Sequence, residues 1–423
     1  MLKLNSQKQN PEAPPPAPST FRWLPTGEAG LDAMLDAIGR ATQTLCFEMY
    51  IFTAGPLGKS FREALLQARR RGVRVRVLLD AFGSLGLPAH FWDPFLQLGG
   101  EFRWFNAFHA AERYGRRNHR KLLVIDGREA IVGGFNVSED YRGDGVTHGW
   151  RDLGLHIEGP LAAALETSFA RIFTKVVARE TRLSQILTKK RHLHLPRLLQ
   201  RPETAVEGRP WTLLLSEPGL GHRAFKRALL DDLASAQLVQ ITCAYFVPTW
   251  RLRRALMGVA RRGGRVQLLL AGKTDIEASR LASHSLYAKL MSAGVEIYEY
   301  QPQILHAKLV VIDGIVYAGS ANLDARSLNI NYELMIRVDN AQTAAEARGI
   351  FEADLAHSRA IDPQRWKASR NWLTRLLEKA AYFLVARIDP HITSLRWRTR
   401  ANEAWKKKRK RAGRKKVPPF FSS

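Results

Sequence analysis

Two stretches place the same chemistry-bearing side chains at nearly the same spacing. "HRKLLVIDGREAIVGGFN" covers 119–136, and "HAKLVVIDGIVYAGSAN" covers 306–322. Each holds a His-x-Lys pair, an Asp-Gly after four further residues, and a Gly-rich end closed by Asn. Histidine can attack phosphorus or shuttle a proton near neutral pH. Lysine supplies a positive charge, asparagine a hydrogen-bond donor, and glycine a close approach of backbone. The set suits a phosphate. A metal is disfavoured, because a lysine two residues from each histidine repels a cation, and no cofactor is expected. The candidate catalytic residues are His119, Lys121, His306 and Lys308, with Asn136, Asn322 and Ser320 as phosphate ligands. Asp126 and Asp313 join the catalytic set, although the first residue of an Asp-Gly turn already has a complete structural explanation.

Positioning these groups requires a hairpin in each copy. Asp-Gly between two apolar runs is a strong turn signal. Strand alternation puts His119 and Lys121 on one face, and the return strand brings Gly133 to Asn136 back beside His119. The second copy gathers His306, Lys308 and Asn322 in the same way. It has one residue fewer between Asp and Gly, so a bulge is expected in one hairpin to keep the side chains on their faces.

The echo extends beyond the hairpins. "LPTGEAGLDAMLDAIGRATQTLCFEMYIF" (24–52) answers "LSEPGLGHRAFKRALLDDLASAQLVQITCAYFVP" (215–248), and "FREALLQARRRGVRVRVLLD" (61–80) answers "LRRALMGVARRGGRVQLLLA" (252–271). Each reads as a helix running into an apolar strand, with Arg-Gly stopping the second helix. The order helix, strand, helix, strand, helix, strand, hairpin occurs twice, which predicts an α/β protein. Two similar domains with mixed sheets are expected, related by an approximate two-fold axis. The expected boundaries are a Pro-rich leader at 1–20, a first domain at 21–178, a basic linker at 179–209, a second domain at 210–360, and a C-terminal segment at 361–423. Cys46 and Cys243 lie in apolar stretches and read as buried, reduced core residues.

With both copies in view, the chain resembles the phospholipase D superfamily and its paired HKD motifs, over roughly Trp23 to Ala356. The resemblance implies two α/β/α domains whose motifs meet in one active site. It also implies a metal-free mechanism in which one histidine forms a phosphohistidine and the other protonates the departing alcohol. His119 is implied as nucleophile and His306 as general acid and base. An acidic residue about thirty positions beyond each histidine orients the rings in the family, and the matches are Asp152 and Glu333. The first copy departs from the family's Gly-Ser, with Gly133-Gly134 where the second has Gly319-Ser320.

"FEMYIF", "AYFVP", "WRDLGLHIEGP" and "GSANLDARSLNINYEL" closely resemble bacterial cardiolipin synthases of the subgroup without N-terminal membrane helices. This implies phosphatidyl transfer from phosphatidylglycerol to another lipid headgroup. A hydrolytic phospholipase D and a nuclease of the superfamily are the alternatives. The net charge of +26 favours an anionic partner, whether a phospholipid surface or nucleic acid. No run of about 18 apolar residues spans a bilayer, so peripheral attachment to the cytoplasmic face of the bacterial inner membrane is expected. "WLTRLLEKAAYFLVARI" (372–388) reads as an amphipathic helix, for a membrane interface or for the protein's own core. "WKKKRKRAGRKK" (405–416) reads as a tail for anionic lipid or nucleic acid. Oligomeric state is not legible, since one chain supplies both half-sites.

Overall fold

The apolar runs build two mixed sheets in a computed structural model, which describes residues 18–107, 116–187, 205–217 and 224–388. The first half comprises β1 (Thr20–Leu24), α1 (Gly27–Arg40), β2 (Thr44–Met49), α2 (Pro56–Arg70), β3 (Arg74–Asp80), α3 (Asp93–Gln97), β4 (Glu101–Phe105), β5 (Leu122–Ile125), β6 (Glu129–Gly133), β7 (Gly154–Glu158) and α4 (Pro160–Leu187). The second begins with β8 (Ala205–Glu207), β9 (Trp211–Ser216), α5 (Ala224–Leu233), β10 (Leu238–Cys243), α6 (Trp250–Arg261), β11 (Arg265–Ala271), α7 (Glu277–Met291) and β12 (Glu296–Tyr300). It continues with β13 (Lys308–Ile312), β14 (Ile315–Gly319), α8 (Ala325–Asn329), β15 (Glu333–Asp339), α9 (Ala341–Ala356), β16 (Ser358–Ala360), α10 (Pro363–Ala368) and α11 (Trp372–Phe383).

The first sheet runs β1-β7-β6-β5-β2-β3-β4. The second, read in the same sense, runs β8-β9-β15-β14-β13-β10-β11-β12-β16, the same order with one short strand added at each edge. Parallel pairing of β2, β3 and β4 follows from their helical crossovers, and the hairpin β5-β6 adds antiparallel pairs. Gly72 and Gly263 follow α2 and α6, both at φ 89°, a backbone that an L side chain resists. The Arg-Gly stops are therefore geometric requirements of both halves.

The layers explain how the halves are held. One apolar core lies outside the first sheet under α1 and α2, and another lies outside the second under α5, α6 and α7. A third is shared. Leu165 and Phe169 of α4, and Ala347 and Phe351 of α9, pack between the two sheets with Leu155, Leu309 and Ile336. Burial on this scale, at about 25 cal/mol per Å² of apolar surface, makes the halves one unit. Cys46 and Cys243 are buried free thiols, each pushed up to about 12 by burial.

Two readings change. The segment 179–209 is not all linker: α4 continues to Leu187, and β8 at 205–207 pairs with β9. Up to Leu187 it contains no proline or glycine, so nothing in it stops a helix. The leader (apart from Pro18, Ser19 and Thr20), residues 188–204 and the tail 405–416 lie outside the described residues. The helix read at 372–388 is α11, followed by a π-turn at Leu384–Ile388. It rests on α7, yet Trp372, Leu373, Leu376, Leu377 and Phe383 stay exposed, while Glu378 and Ala381 are buried.

Candidate active site

The extra residue of the first hairpin is absorbed at its turn. The Arg128 N–H donates to Ile125 O at 3.0 Å, while Ile125 pairs with Glu129 in the ladder. Arg128 and Glu129 thus face one residue, a bulge at the turn. The second hairpin pairs Ile312 directly with Ile315. Beyond that point the registers coincide: Leu122 opposes Val132 just before Gly133, as Leu309 opposes Ala318 just before Gly319. The motif ends therefore reach equivalent places.

Two isolated bridges then join the halves. The His119 N–H donates to Tyr332 O at 3.0 Å, and the His306 N–H donates to Arg151 O at 2.7 Å. Tyr332 and Arg151 immediately precede Glu333 and Asp152. Each bridge delivers the other half's carboxylate to a histidine. Glu333 Oε2 lies 3.1 Å from His119 Nδ1, and Asp152 Oδ2 lies 2.7 Å from His306 Nδ1. The sequence spacing associates each acid with the histidine of its own half, and the structure crosses them. The cause is topological: Asp152 lies just ahead of β7 and Glu333 opens β15, and β14 of the second sheet packs against β7 of the first.

Polar contacts fix the rings differently. His119 Nδ1 meets two acceptors, Glu333 Oε2 and the Ser320 carbonyl, both at 3.1 Å. It must therefore be the protonated nitrogen, leaving the Nε2 lone pair free when the ring is neutral. His306 Nδ1 meets Asp152 Oδ2 and, at 2.8 Å, the Lys308 ammonium, which can only donate. Nδ1 accepting puts the proton of neutral His306 on Nε2, which lies 3.4 Å from the Tyr141 hydroxyl. Lys121 Nζ donates to His119 O at 2.7 Å, and Lys308 Nζ donates to His306 O.

Electrostatics follows burial. Burial lowers His119 to about 4 against the pull of Glu333. It lowers His306 well below its ordinary value, helped by Lys308, Lys121 and His119. Lys121 falls to about 7 through burial. Asp152 is raised by burial to about 7, with Lys308 opposing. Glu333 is also driven up by burial, but His119, Lys121 and the Ser320 hydroxyl outweigh this and hold it below the usual carboxylate range. Lys308 works to lower His119 and Lys121 to lower His306, across the same interface that the His119–Glu333 and His306–Asp152 contacts bridge. The His119 side chain keeps 12% exposure, which leaves an edge open to solvent.

Several expected ligands are already engaged. Asp126 accepts from the Thr42, Gln43 and Thr44 N–H groups at 3.0, 2.8 and 2.7 Å. Asp313 accepts from Leu238 N at 2.8 Å. Both sit at the turn end of the hairpin, with six residues between each of them and its histidine, at roughly 3.3 Å per residue where extended. With φ 51° and 49° they are turn residues, so their place in the catalytic set is corrected. Asn136 donates to Tyr141 Oη at 2.8 Å and accepts from Ile51 N at 3.0 Å, so its carboxamide aims the tyrosine rather than a phosphate. Ser320 Oγ donates to Glu333 at 2.6 Å. Asn322 Oδ1 is buried without a partner among the described residues, leaving that carboxamide uncommitted on one side.

Sequence reasoning missed the aromatic wall. Tyr50 edges His119 with centroids 4.9 Å apart, and Tyr141, Trp150 and Tyr245 surround His306 at 5.2, 5.6 and 6.3 Å. It also missed the clamp beside His119. Asn118 N donates to Asp80 Oδ2 at 2.8 Å, and buried Arg120 lies 3.1 Å from Glu48. Aromatics adjoining the motifs were the available signal for the wall. For the clamp there was none, because its acids come from other strands.

A family profile described as "Cardiolipin synthase, PLD-like domain" matches residues 34–172 and 229–355. Cardiolipin synthase A of Pseudomonas aeruginosa (strain LESB58) is 33% identical over 361 residues, covering 84% of this chain and 70% of that one. Cardiolipin synthase 1 of Bacillus cereus is 30% identical over 368 residues, covering 85% and 71%. Phosphatidylserine synthase of Haemophilus influenzae Rd KW20 shares the fold at TM-score 0.64 and 12% identity, over 88% of this chain and 94% of that one. The chain belongs to the cardiolipin synthase family of phospholipase D-like proteins.

Proposed function

We propose that this enzyme moves the phosphatidyl group of phosphatidylglycerol to the hydroxyl of a second lipid headgroup, through a covalent phosphohistidine. The supporting observation is the crossed pairing of Glu333 with His119 and Asp152 with His306. It couples the two motifs and makes their histidines chemically unequal.

The His119 Nε2 lone pair attacks phosphorus. Ionised Glu333 behind Nδ1–H stabilises the imidazolium as the P–N bond forms. The P–O bond to glycerol breaks, and the departing oxygen takes the proton from His306 Nε2. Asp152, which holds a proton up to about pH 7, or Lys308 supplies a proton to His306 Nδ1, so no imidazolate forms. The acceptor hydroxyl then returns a proton to His306 Nε2 as its oxygen attacks phosphorus, and the Nδ1 proton goes back to the Asp152 or Lys308 that gave it. The P–N bond breaks and His119 is restored. Lys121 and Lys308 offset the phosphate charge, and the Nδ2 amide of Asn322 is the proposed donor to its oxygens.

The proposed setting is peripheral, on the cytoplasmic face of the bacterial inner membrane. The +26 charge supports an anionic surface, and among the described residues no helix is long and apolar enough to cross a membrane. Purified protein incubated with phosphatidylglycerol vesicles should yield cardiolipin and glycerol. Phosphatidic acid as the main product would mean that water is the acceptor. Cleavage of single-stranded DNA without lipid turnover would sink the reading in favour of a nuclease.

A further inference from the structure

Helix α11 is turned inside out. Its one acid, Glu378, faces inward to Arg370 Nε at 3.1 Å, and the Arg370 guanidinium stacks 3.2 Å from the Trp366 ring centroid. The small residue Ala381 packs with Val247 and Ala282. The large apolar residues point outward: Trp372 is 76% exposed, Leu376 55%, Leu377 54% and Phe383 57%. An ordinary surface helix does the opposite. Trp250 on α6 is 58% exposed. It lies one turn before Arg253, which donates to Tyr382 Oη at 3.0 Å, so the indole sits beside α11.

We infer that the outward stripe of α11, together with Trp250, is a docking surface that enters an anionic phospholipid bilayer. Charge favours this occupant. The outward and flanking positions carry Arg375 and Lys379, both exposed, with no exposed acid on the helix. Arg254 stacks 5.3 Å from the Trp250 ring. Apolar side chains below a rim of cations match acyl chains below anionic headgroups. The surface is also tied to the site. The Tyr245 ring lies 6.3 Å from the His306 ring, and Val247, two residues on, packs against the inner face of α11. A docked α11 holds the wall around His306 at the bilayer surface, where a lipid phosphate need not leave the membrane to be reached. The inference rests on the phosphatidyl-transfer reading for its purpose, but not for its test.

The test uses the full chain and vesicles of phosphatidylcholine with or without phosphatidylglycerol. Leu376→Glu/Leu377→Glu and Trp372→Ala/Phe383→Ala replace exposed side chains, so melting curves should match the parent. Sedimentation with phosphatidylglycerol-containing vesicles should weaken about a hundredfold. Cardiolipin formation on vesicles should fall in step, whereas turnover on detergent-dispersed phosphatidylglycerol should stay within about twofold of the parent. Unchanged vesicle binding by both variants overturns the proposal. So does loss of a dimer rather than of vesicle binding, which would make the stripe a contact between copies. Equal loss of both activities overturns it too, by making the stripe part of the site. If the parent makes no lipid product but the variants still lose vesicle binding, docking stands and the transfer reading fails.

Discussion

The two half-sites share histidine and lysine but differ behind the ring. The carboxylate facing His119 is glutamate, with Ser320 donating to it; the one facing His306 is aspartate, with Gly134 beside it. A Cβ at Gly134 would stand 2.2 Å from Asp152 Oδ1, so the space a serine would take is filled by the acid itself. A near-symmetric frame thus produces an asymmetric pair. One ring is held by an ionised acid and offers a lone pair, while the other borders an acid that titrates near neutrality and offers a proton. The repeated frame thus differs in two positions, glutamate against aspartate and serine against glycine, and the proposed division of roles rests on them.

The sharpest way to break this comparison is to remove each ring. His119→Ala and His306→Ala should each lower kcat by roughly 10³-fold or more, measured as cardiolipin formed. The asymmetry appears with a p-nitrophenyl phosphodiester, whose leaving group needs no proton. That substrate should recover release of p-nitrophenol in the His306 variant and not in the His119 variant. Equal recovery in both would refute the division of roles.

The carboxylates come next. Glu333→Gln removes the charge that stabilises the phosphohistidine and should cost about 10²–10³-fold in kcat. Asp152→Asn replaces a group that is about half protonated near pH 7 with one that gives no proton, leaving Lys308 as the donor, and should cost about tenfold. Parent activity should rise with pH near 4, as His119 loses its proton, and fall through about 7, as Asp152 loses its own. The variant Asp152→Asn should lose the upper limb and keep the lower. Stability carries the same signs. Asp152 is raised, so its contribution is present below about pH 4 and lost as pH rises through 7. His119 is depressed, so its contribution grows from about pH 4 to 6.5.

Exchanging the small residues tests the packing behind that difference. Gly134→Ser should push Asp152 off His306, cost about 1–3 kcal/mol in melting experiments, and reduce kcat as much as Asp152→Asn does. Ser320→Ala deletes one hydrogen bond to Glu333 and should cost about 1–2 kcal/mol of stability or less, with kcat lowered severalfold. A tolerated serine at 134 would show that the two pockets are interchangeable.

Much of this was legible in the chain. The duplicated helix-strand order and the Arg-Gly stops at Gly72 and Gly263 are local signals, and two mixed sheets follow from them, although their strand order does not. His119, Lys121, His306 and Lys308 were singled out because identical spacing recurs, and the structure sets an acid beside each ring. Asp152 and Glu333 were singled out too, but not which ring each adjoins, since that depends on how two sheets face across α4 and α9. Asn136 was misassigned for a related reason: its partner Tyr141 lies in a short turn with no periodic signature. The clamp of Asp80 and Glu48 on Asn118, beside His119, joins segments far apart in the sequence, to which periodicity is blind. The stripe of α11 was visible, while its outward direction was set by the burial of Glu378 on Arg370.

The smallest effects belong to the two turn aspartates, and they separate the motif's chemistry from its scaffold. Asp126 collects three backbone N–H groups and the Thr42 hydroxyl, the last at 2.6 Å, and so ties the first hairpin to the start of β2. Burial works to raise its carboxyl, but these donors hold it below the usual range. Its contribution is therefore present above about pH 4 and lost as pH falls through the lowered value. Asp313 bonds the Leu238 and Gln237 N–H groups, the latter at 3.2 Å and beyond, a looser clasp. Asp126→Ala should thus lower stability by about 1–2 kcal/mol and Asp313→Ala by about 1 kcal/mol or less. Neither should move kcat more than about twofold at a temperature where the variant is folded. If Asp313→Ala instead abolished turnover in a protein that melts like the parent, the aspartate would reach the reaction by a route other than the turn, and the separation of scaffold from site would fail.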